Sequence, residues 1–128
     1  MTTELSMLLY TSLLFFVLLA ATATFGTVKM GIPWAFGNRQ EPVDAGATGA
    51  RLKRAVENHK EGLVLFIPVV LIISVADLSS SQTVLGAQIY FYCRLVHAVT
   101  YALGIAYVRS IAWIAGIVGL AMMVIGLF

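Results

Sequence analysis

Charged residues cut the chain into long apolar runs. Leu5 to Val28 is 24 residues without a charge, and about 20 helical residues cross a hydrocarbon core of about 30 Å, so a first span is predicted over about 5–28. A polar stretch follows, holding Lys29, Pro33, Arg39, Glu41, Pro42 and Asp44. The pattern then changes to a charged helix, Arg51 to Glu61, that continues into Gly62 to Ala76, only 15 uncharged residues. At 1.5 Å per residue that part covers only about 22 Å. The second span is therefore predicted over about 55–77, with Asn58 and Glu61 at or below the membrane interface. After the polar turn Ser79 to Gln82, Val84 to Val108 is interrupted only by Arg94 and His97 and predicts a third span over about 84–107. Arg109 opens a fourth, over about 109–128. The pattern predicts an all-α, integral membrane four-helix bundle protomer, a single domain over 1–128 with no room for a soluble one.

Composition agrees and narrows the partners. Hydrophobic residues make up 60% and charged residues 11% of the 128, with mean hydropathy +0.94, against roughly 45–50% and roughly 25% in ordinary globular proteins. So few charges cannot coat a folded body in water. The net charge of +2, without a dense basic run interleaved with aromatics, excludes a nucleic-acid partner. Cys93 is the single cysteine, so no intrachain disulfide or cysteine zinc cluster is available and no metal is expected. Ala21-Thr22-Ala23 could pass for a leader-cleavage site, but Glu4 replaces the basic residues of such a leader and the apolar run is too long, so no cleaved leader is expected.

Orientation follows the basic residues. Lys29, Arg39, Arg51, Lys53 and Arg54 lie in or beside the first connection and Arg109 lies at the last. The 29–50 loop and the turn between spans three and four are thus expected to be cytoplasmic, with both termini on the far side.

Polar residues inside the spans carry the chemical signal, because an Arg or Asp at mid-membrane costs about 2.5–3.5 kcal/mol on insertion scales. Arg51, Arg54, Asn58 and Glu61 are spaced 3, 4 and 3 apart and share one helical face. Arg94, His97 and Tyr101 form a second stripe, and Arg109 with Trp113 a third at the same end. Three converging stripes can hold a small zwitterionic ligand, with Arg for carboxylates, Asn for peptide groups and Glu for an ammonium. The plainer alternative is that Glu61 and Arg94 pair to join two helices while Arg51, Lys53 and Arg54 anchor the cytoplasmic side. Lys53 and Lys60 point off the shared face and read as solvated anchors. Pro68 removes a backbone donor in mid-span, either shaping a groove or simply tolerated by a membrane helix. Ala112 with Gly116, and Ala115 with Gly119, are small pairs suited to close helix packing.

At these positions the chain resembles a known family. Arg54-Ala55-x-x-Asn58-x-x-Glu61-x-x-x-x-Phe66, then Arg94-x-x-His97-x-x-x-Tyr101, then Arg109-Ser110 is similar to the ordered signature of the membrane-associated proteins in eicosanoid and glutathione metabolism (MAPEG). The resemblance extends over nearly the whole chain in span count, loop positions and motif order. It implies a homotrimer of four-span protomers, with glutathione as co-substrate bound in a bent conformation between subunits near the cytoplasmic face. It implies glutathione contacts from Arg51, Arg54, Asn58, Glu61, His97, Tyr101 and Ser110, a thiolate-stabilising, catalytic role for Arg109, and Arg94 as the deep structural partner of Glu61. Glu57 and Trp113 depart from the family's prostaglandin synthases, so an eicosanoid substrate is not implied. The stretch Gly37 to Pro42 is similar to a bacterial subgroup, which implies a bacterial inner membrane.

The chemistry implied is glutathione-dependent. A free thiol of pKa about 8.5 is only a few per cent ionised at pH 7, and a guanidinium in a poorly hydrated pocket favours the anion. The thiolate would conjugate a lipophilic electrophile or reduce a lipid hydroperoxide, so the partners are membrane lipids, a lipophilic second substrate and further copies of the chain. The alternatives are a non-catalytic trimer that keeps only the ligand pocket, and a small exporter using Glu61 or Asp77 as its titratable acid.

Overall fold

The computed structural model describes residues 1–38 and 46–128. Arg39, Glu41, Pro42 and Asp44, and with them most of the Gly37 to Pro42 stretch, lie outside the described residues. The described chain is helical: α1 is Thr3–Met30, α2 Ile32–Phe36, α3 Gly46–Val75, α4 Ser81–Leu103 and α5 Ala106–Ile125.

Local chemistry sets the ends of these helices. Thr2 caps α1, its hydroxyl accepting from the Leu5 amide, and Gly31 at φ 89° ends it. Ser80 and Thr83 form a reciprocal capping box at the start of α4. Helices α3 and α4 both stop in a left-handed residue, Asp77 at φ 55° and Gly104 at φ 77°. The amide one residue further on reaches back five positions in each case, Leu78 to Ile73 O and Ile105 to Thr100 O, both at 2.9 Å. Within α1, Thr11, Ser12, Thr22 and Thr27 each donate to the carbonyl four residues back, which satisfies their hydroxyls where lipid offers no acceptor.

Three of these helices, α1, α3 and α5, are long and apolar enough to cross a membrane. Helix α4 has 23 residues, but Gln82, Gln88, Arg94 and His97 dilute its apolarity. It packs against α1, α3 and α5, most extensively α5. The segment predicted as the second span belongs to a 30-residue helix that starts at Gly46 and runs through Pro68 without a break. Its first turns are too charged to register as apolar, yet nothing in them stops a helix.

Helix α1 is antiparallel to α3, as the Leu18 contact with Ala55 and Val56 and the His59 contact with Thr11 show. Helix α5 is antiparallel to α4, where Gly86 and Gly119 cross so closely that a Cβ on either would lie 2.6–2.8 Å from the other's carbonyl oxygen. Ala112 and Gly116 are buried at the same contact. At one end of the molecule the Glu4 carboxylate is fully buried and accepts from Ser79 Oγ at 2.8 Å and Thr83 Oγ1 at 2.7 Å. The start of α1 is thereby tied to the start of α4, a few residues from where Gln82 Nε2 donates to Met122 O.

The interior has three layers. One apolar cluster joins Met7, Leu63, Phe66, Val70, Ile73, Ala87, Tyr90, Leu120 and Met123. A smaller one joins Leu18, Ala55, Val56 and Ala98. By their positions along the helices, Thr11, Asn58, His59, Arg94 and His97 form a polar layer between the two. Large apolar side chains such as Phe16, Leu65, Ile72, Tyr92 and Ile114 remain exposed on the outer faces, which a hydrocarbon solvent accommodates and water does not.

Candidate functional site

The polar layer is assembled from α1, α3 and α4, and α5 lines the cavities beside it. Arg94 is 3% exposed, and its Nη1 donates to Asn58 Oδ1 at 2.9 Å. The four-residue step from Asn58 back to Arg54 and the three-residue step on to Glu61 keep these residues near one face, but Glu61 lies about 60° round the helix from Asn58. That angle decides the partner. The expected Glu61–Arg94 ion pair is not made within the protomer: Asn58 faces α4 and takes the guanidinium, while Glu61 is exposed. Among the described residues the ion pair found is Lys60–Glu57, at 3.0 Å on the outer face of α3.

Two neighbouring cavities share Asn58 and Trp113. The outer, of about 290 Å³, is lined by Asn58, His97, Tyr101, Arg109, Ser110, Trp113 and Ile114. The inner, of about 140 Å³, is lined by Asn58, Glu61 and Gly62 of α3, Tyr90 and Arg94 of α4 and Trp113, Gly116 and Ile117 of α5, with Leu65 and Leu120. The structure therefore brings Asn58, His97, Tyr101, Arg109 and Ser110 to one cavity and Glu61 and Arg94 to the adjoining one.

The Arg109 guanidinium carbon stands 4.7 Å from the Tyr101 ring centroid, a cation–π contact, and the Tyr101 ring meets His97 edge-on at 5.4 Å. These rings hold a cation in the lining of the outer cavity without neutralising it. Ser110 Oγ donates to Ala106 O at 3.2 Å, leaving its oxygen lone pairs free to accept.

Two expected contacts lie elsewhere. Arg51 closes the end of α4, its Nε donating to Ala102 O at 3.3 Å and its Nη2 to Thr48 Oγ1 at 3.3 Å, with the guanidinium lying against Gly104. Arg54 is exposed and lines neither cavity. Within the protomer Arg51 is thus a helix-end clamp.

Two residues at or beside the layer were missed in the sequence. His59 is buried, its Nε2 donating to Thr11 O at 2.9 Å and its ring stacked on Phe15 at 5.7 Å. It is a tie between α1 and α3. Tyr90 stacks on Phe66 at 4.1 Å and reaches the inner cavity over Gly62. Tyr90 lies four residues before Arg94 on the same stripe, a spacing that could have found it.

None of the curated proteins and none of the solved structures matches the chain. The MAPEG family model matches residues 7–128, a range that takes in every residue of both cavities. With its apolar helices and the polar constellation they enclose, the chain is an integral membrane protein that belongs to the MAPEG family.

Proposed function

We propose that this protein is a glutathione-dependent membrane transferase, acting as a homotrimer of four-span bundles in a bacterial inner membrane, with the 29–50 loop and the turn before α5 on the cytoplasmic side. Glutathione is the co-substrate. It conjugates lipophilic electrophiles or reduces lipid hydroperoxides that arrive from the bilayer. The observation that carries this reading is the convergence of Asn58, His97, Tyr101, Arg109 and Ser110 on one cavity, in a chain whose family handles glutathione.

In this reading Asn58 and Ser110 meet the peptide groups of glutathione and Tyr101 and His97 its polar ends. Glu61, exposed at the rim of the inner cavity, takes the ammonium. Arg54 faces outward and contributes in the assembled trimer, as does Arg51 if assembly frees it from Ala102. Arg109 stabilises the thiolate with its guanidinium, which lines the outer cavity. The thiolate sulfur then attacks the electrophilic carbon, forming a C–S bond and expelling the leaving group. With a hydroperoxide it attacks the terminal oxygen, the O–O bond breaks and the alcohol leaves, and a second glutathione attacks the resulting sulfenic acid to give the disulfide and water.

The test is conjugation of a lipophilic aryl halide by protein reconstituted in lipid, with glutathione binding measured in parallel. Binding together with turnover supports the transferase. Binding without turnover of either an electrophile or a hydroperoxide favours a non-catalytic trimer that keeps the pocket. Absence of binding removes both.

A further inference from the structure

Helix α2, Ile32–Phe36, is five residues long, and all of them are apolar, Ile-Pro-Trp-Ala-Phe. Among the described elements it packs against α1 and no other. Ile32 is 64% exposed and Phe36 90%, and their spacing of four puts both on one side of the helix. Val28, near the end of α1, is 79% exposed. Gly31, at φ 89°, turns the chain out of α1 and into α2.

The level of α2 follows from the helix lengths. Leu18 of α1 and Ala98 of α4 share one cluster. From there α1 runs on for 12 residues to Met30 and α4 for five to Leu103, about 18 Å against about 8 Å at 1.5 Å per residue. The end of α1, and α2 with it, therefore stands about 10 Å beyond the turn that leads to Arg109. Helix α5, with 20 residues, matches a hydrocarbon core of about 30 Å, whereas the 28 residues of α1 match a bilayer of about 40–45 Å with its headgroups included. That puts α2 at headgroup depth.

Neither side of that zone suits α2. A single turn leaves backbone amides and carbonyls without helical partners, which hydrocarbon does not allow, and its exposed side chains are ones that water disfavours. The boundary between acyl chains and headgroups meets both demands, and indoles such as that of Trp34 concentrate there. Lys29, exposed at the same end with its ammonium 6.0 Å from the Phe25 ring centroid, supplies a cation at the level of the lipid phosphates. Five residues are too few to carry a stable protein interface, which takes about 800 Å² per partner.

We propose that α2 is an interfacial anchor whose partner is the lipid surface at the Arg109 end of the bundle. Ile32 and Phe36 enter the top of the acyl layer, Trp34 lies at headgroup level and Lys29 meets a lipid phosphate. The anchor fixes how deep the outer cavity lies below the headgroups. The inference stands on helix lengths and side-chain exposure and does not rest on the transferase reading.

The experiment uses full-length protein in phosphatidylcholine vesicles, with Trp113→Phe leaving Trp34 as the single indole of the two in the chain. Trp34 fluorescence is quenched in turn by lipid brominated next to the headgroup, by lipid brominated near the chain ends, and by acrylamide in the water. Quenching is expected to be strongest from the shallow bromines. Adding Ile32→Ser and Phe36→Ser should remove most of that quenching and raise quenching by acrylamide, with thermal unfolding confirming that the protein is folded. Strongest quenching by acrylamide, by the deep bromines or by none of the three overturns the anchor, as does an unchanged pattern after the two serine substitutions. A nitroxide on Phe36→Cys in a Cys93→Ser background, which keeps Trp113, reads depth independently. Oxygen is expected to relax it more than a water-soluble nickel chelate does, and the reverse order overturns the anchor.

Discussion

Arg94 of α4 donates to Asn58 of α3 across 2.9 Å, and both are enclosed between two apolar clusters. This bond positions the guanidinium between the two cavities. Asn58→Leu removes its acceptor and leaves a further donor unpaired in a buried place, which is expected to destabilise the protein by about 1–3 kcal/mol. Glu61→Gln, at an exposed position without a partner in the protomer, is expected to leave the unfolding midpoint unchanged. Thermal or denaturant unfolding in detergent checks both. The reverse ranking would mean that Glu61 carries the contact after all.

The Gly86–Gly119 crossing sets the distance between α4 and α5 and hence the depth of the inner cavity. A methyl group at residue 119 would fall 2.8 Å from Gly86 O and 2.9 Å from the Tyr90 amide nitrogen. Both are backbone atoms that cannot swing away. Gly119→Ala is expected to cost about 1–3 kcal/mol through overpacking, read as a lowered unfolding midpoint. An unchanged midpoint would show that the helices part without penalty.

Glu4 ties the beginning of α1 to the Ser79–Thr83 turn. Glu4→Ala removes the acceptor of Ser79 Oγ, leaves Thr83 Oγ1 with Ser80 O at 3.0 Å, and removes a negative charge from the start of α4, where the helix dipole favours one. Faster amide hydrogen exchange over 80–86 is expected, with little change near Arg109 at the other end. Uniformly faster exchange would make Glu4 a determinant of global stability, and no change would show that the tie is dispensable.

How far sequence reading reached depends on what periodicity encodes. Asn58, His97, Tyr101 and Arg109 could be read in advance because spacings of three and four fix a helical face, Ser110 came only from the family resemblance, and all five line one cavity. Rise along the helix also put Glu61 and Arg94 at similar depth. Rotation about the axis was not available, and about 60° was enough to give the guanidinium to Asn58 instead. Tyr90 escaped because an aromatic residue in an apolar helix reads as core, and it reaches the inner cavity only because Gly62 lies opposite. Arg51 shared the stripe of Asn58 but sits at the level where α4 ends, so the free carbonyl of Ala102 claimed it. Glu4 stood out as an acid, yet its partners lie 75 and 79 residues away, beyond the reach of any local pattern.

Arg109 is held over the Tyr101 ring at 4.7 Å, and its proposed role is to stabilise a glutathione thiolate. The most direct measurement is a pair of titrations across pH 6 to 9, wild type and Arg109→Ala, following bound glutathione together with thiolate absorbance. The wild type is expected to bind glutathione and to show thiolate at pH 7. Arg109→Ala should bind it comparably, lose that thiolate signal, and conjugate a hydrophobic electrophile slower by roughly 10²-fold or more. Equal thiolate at pH 7 in the two proteins would contradict the assignment and reduce Arg109 to a basic anchor at the membrane surface.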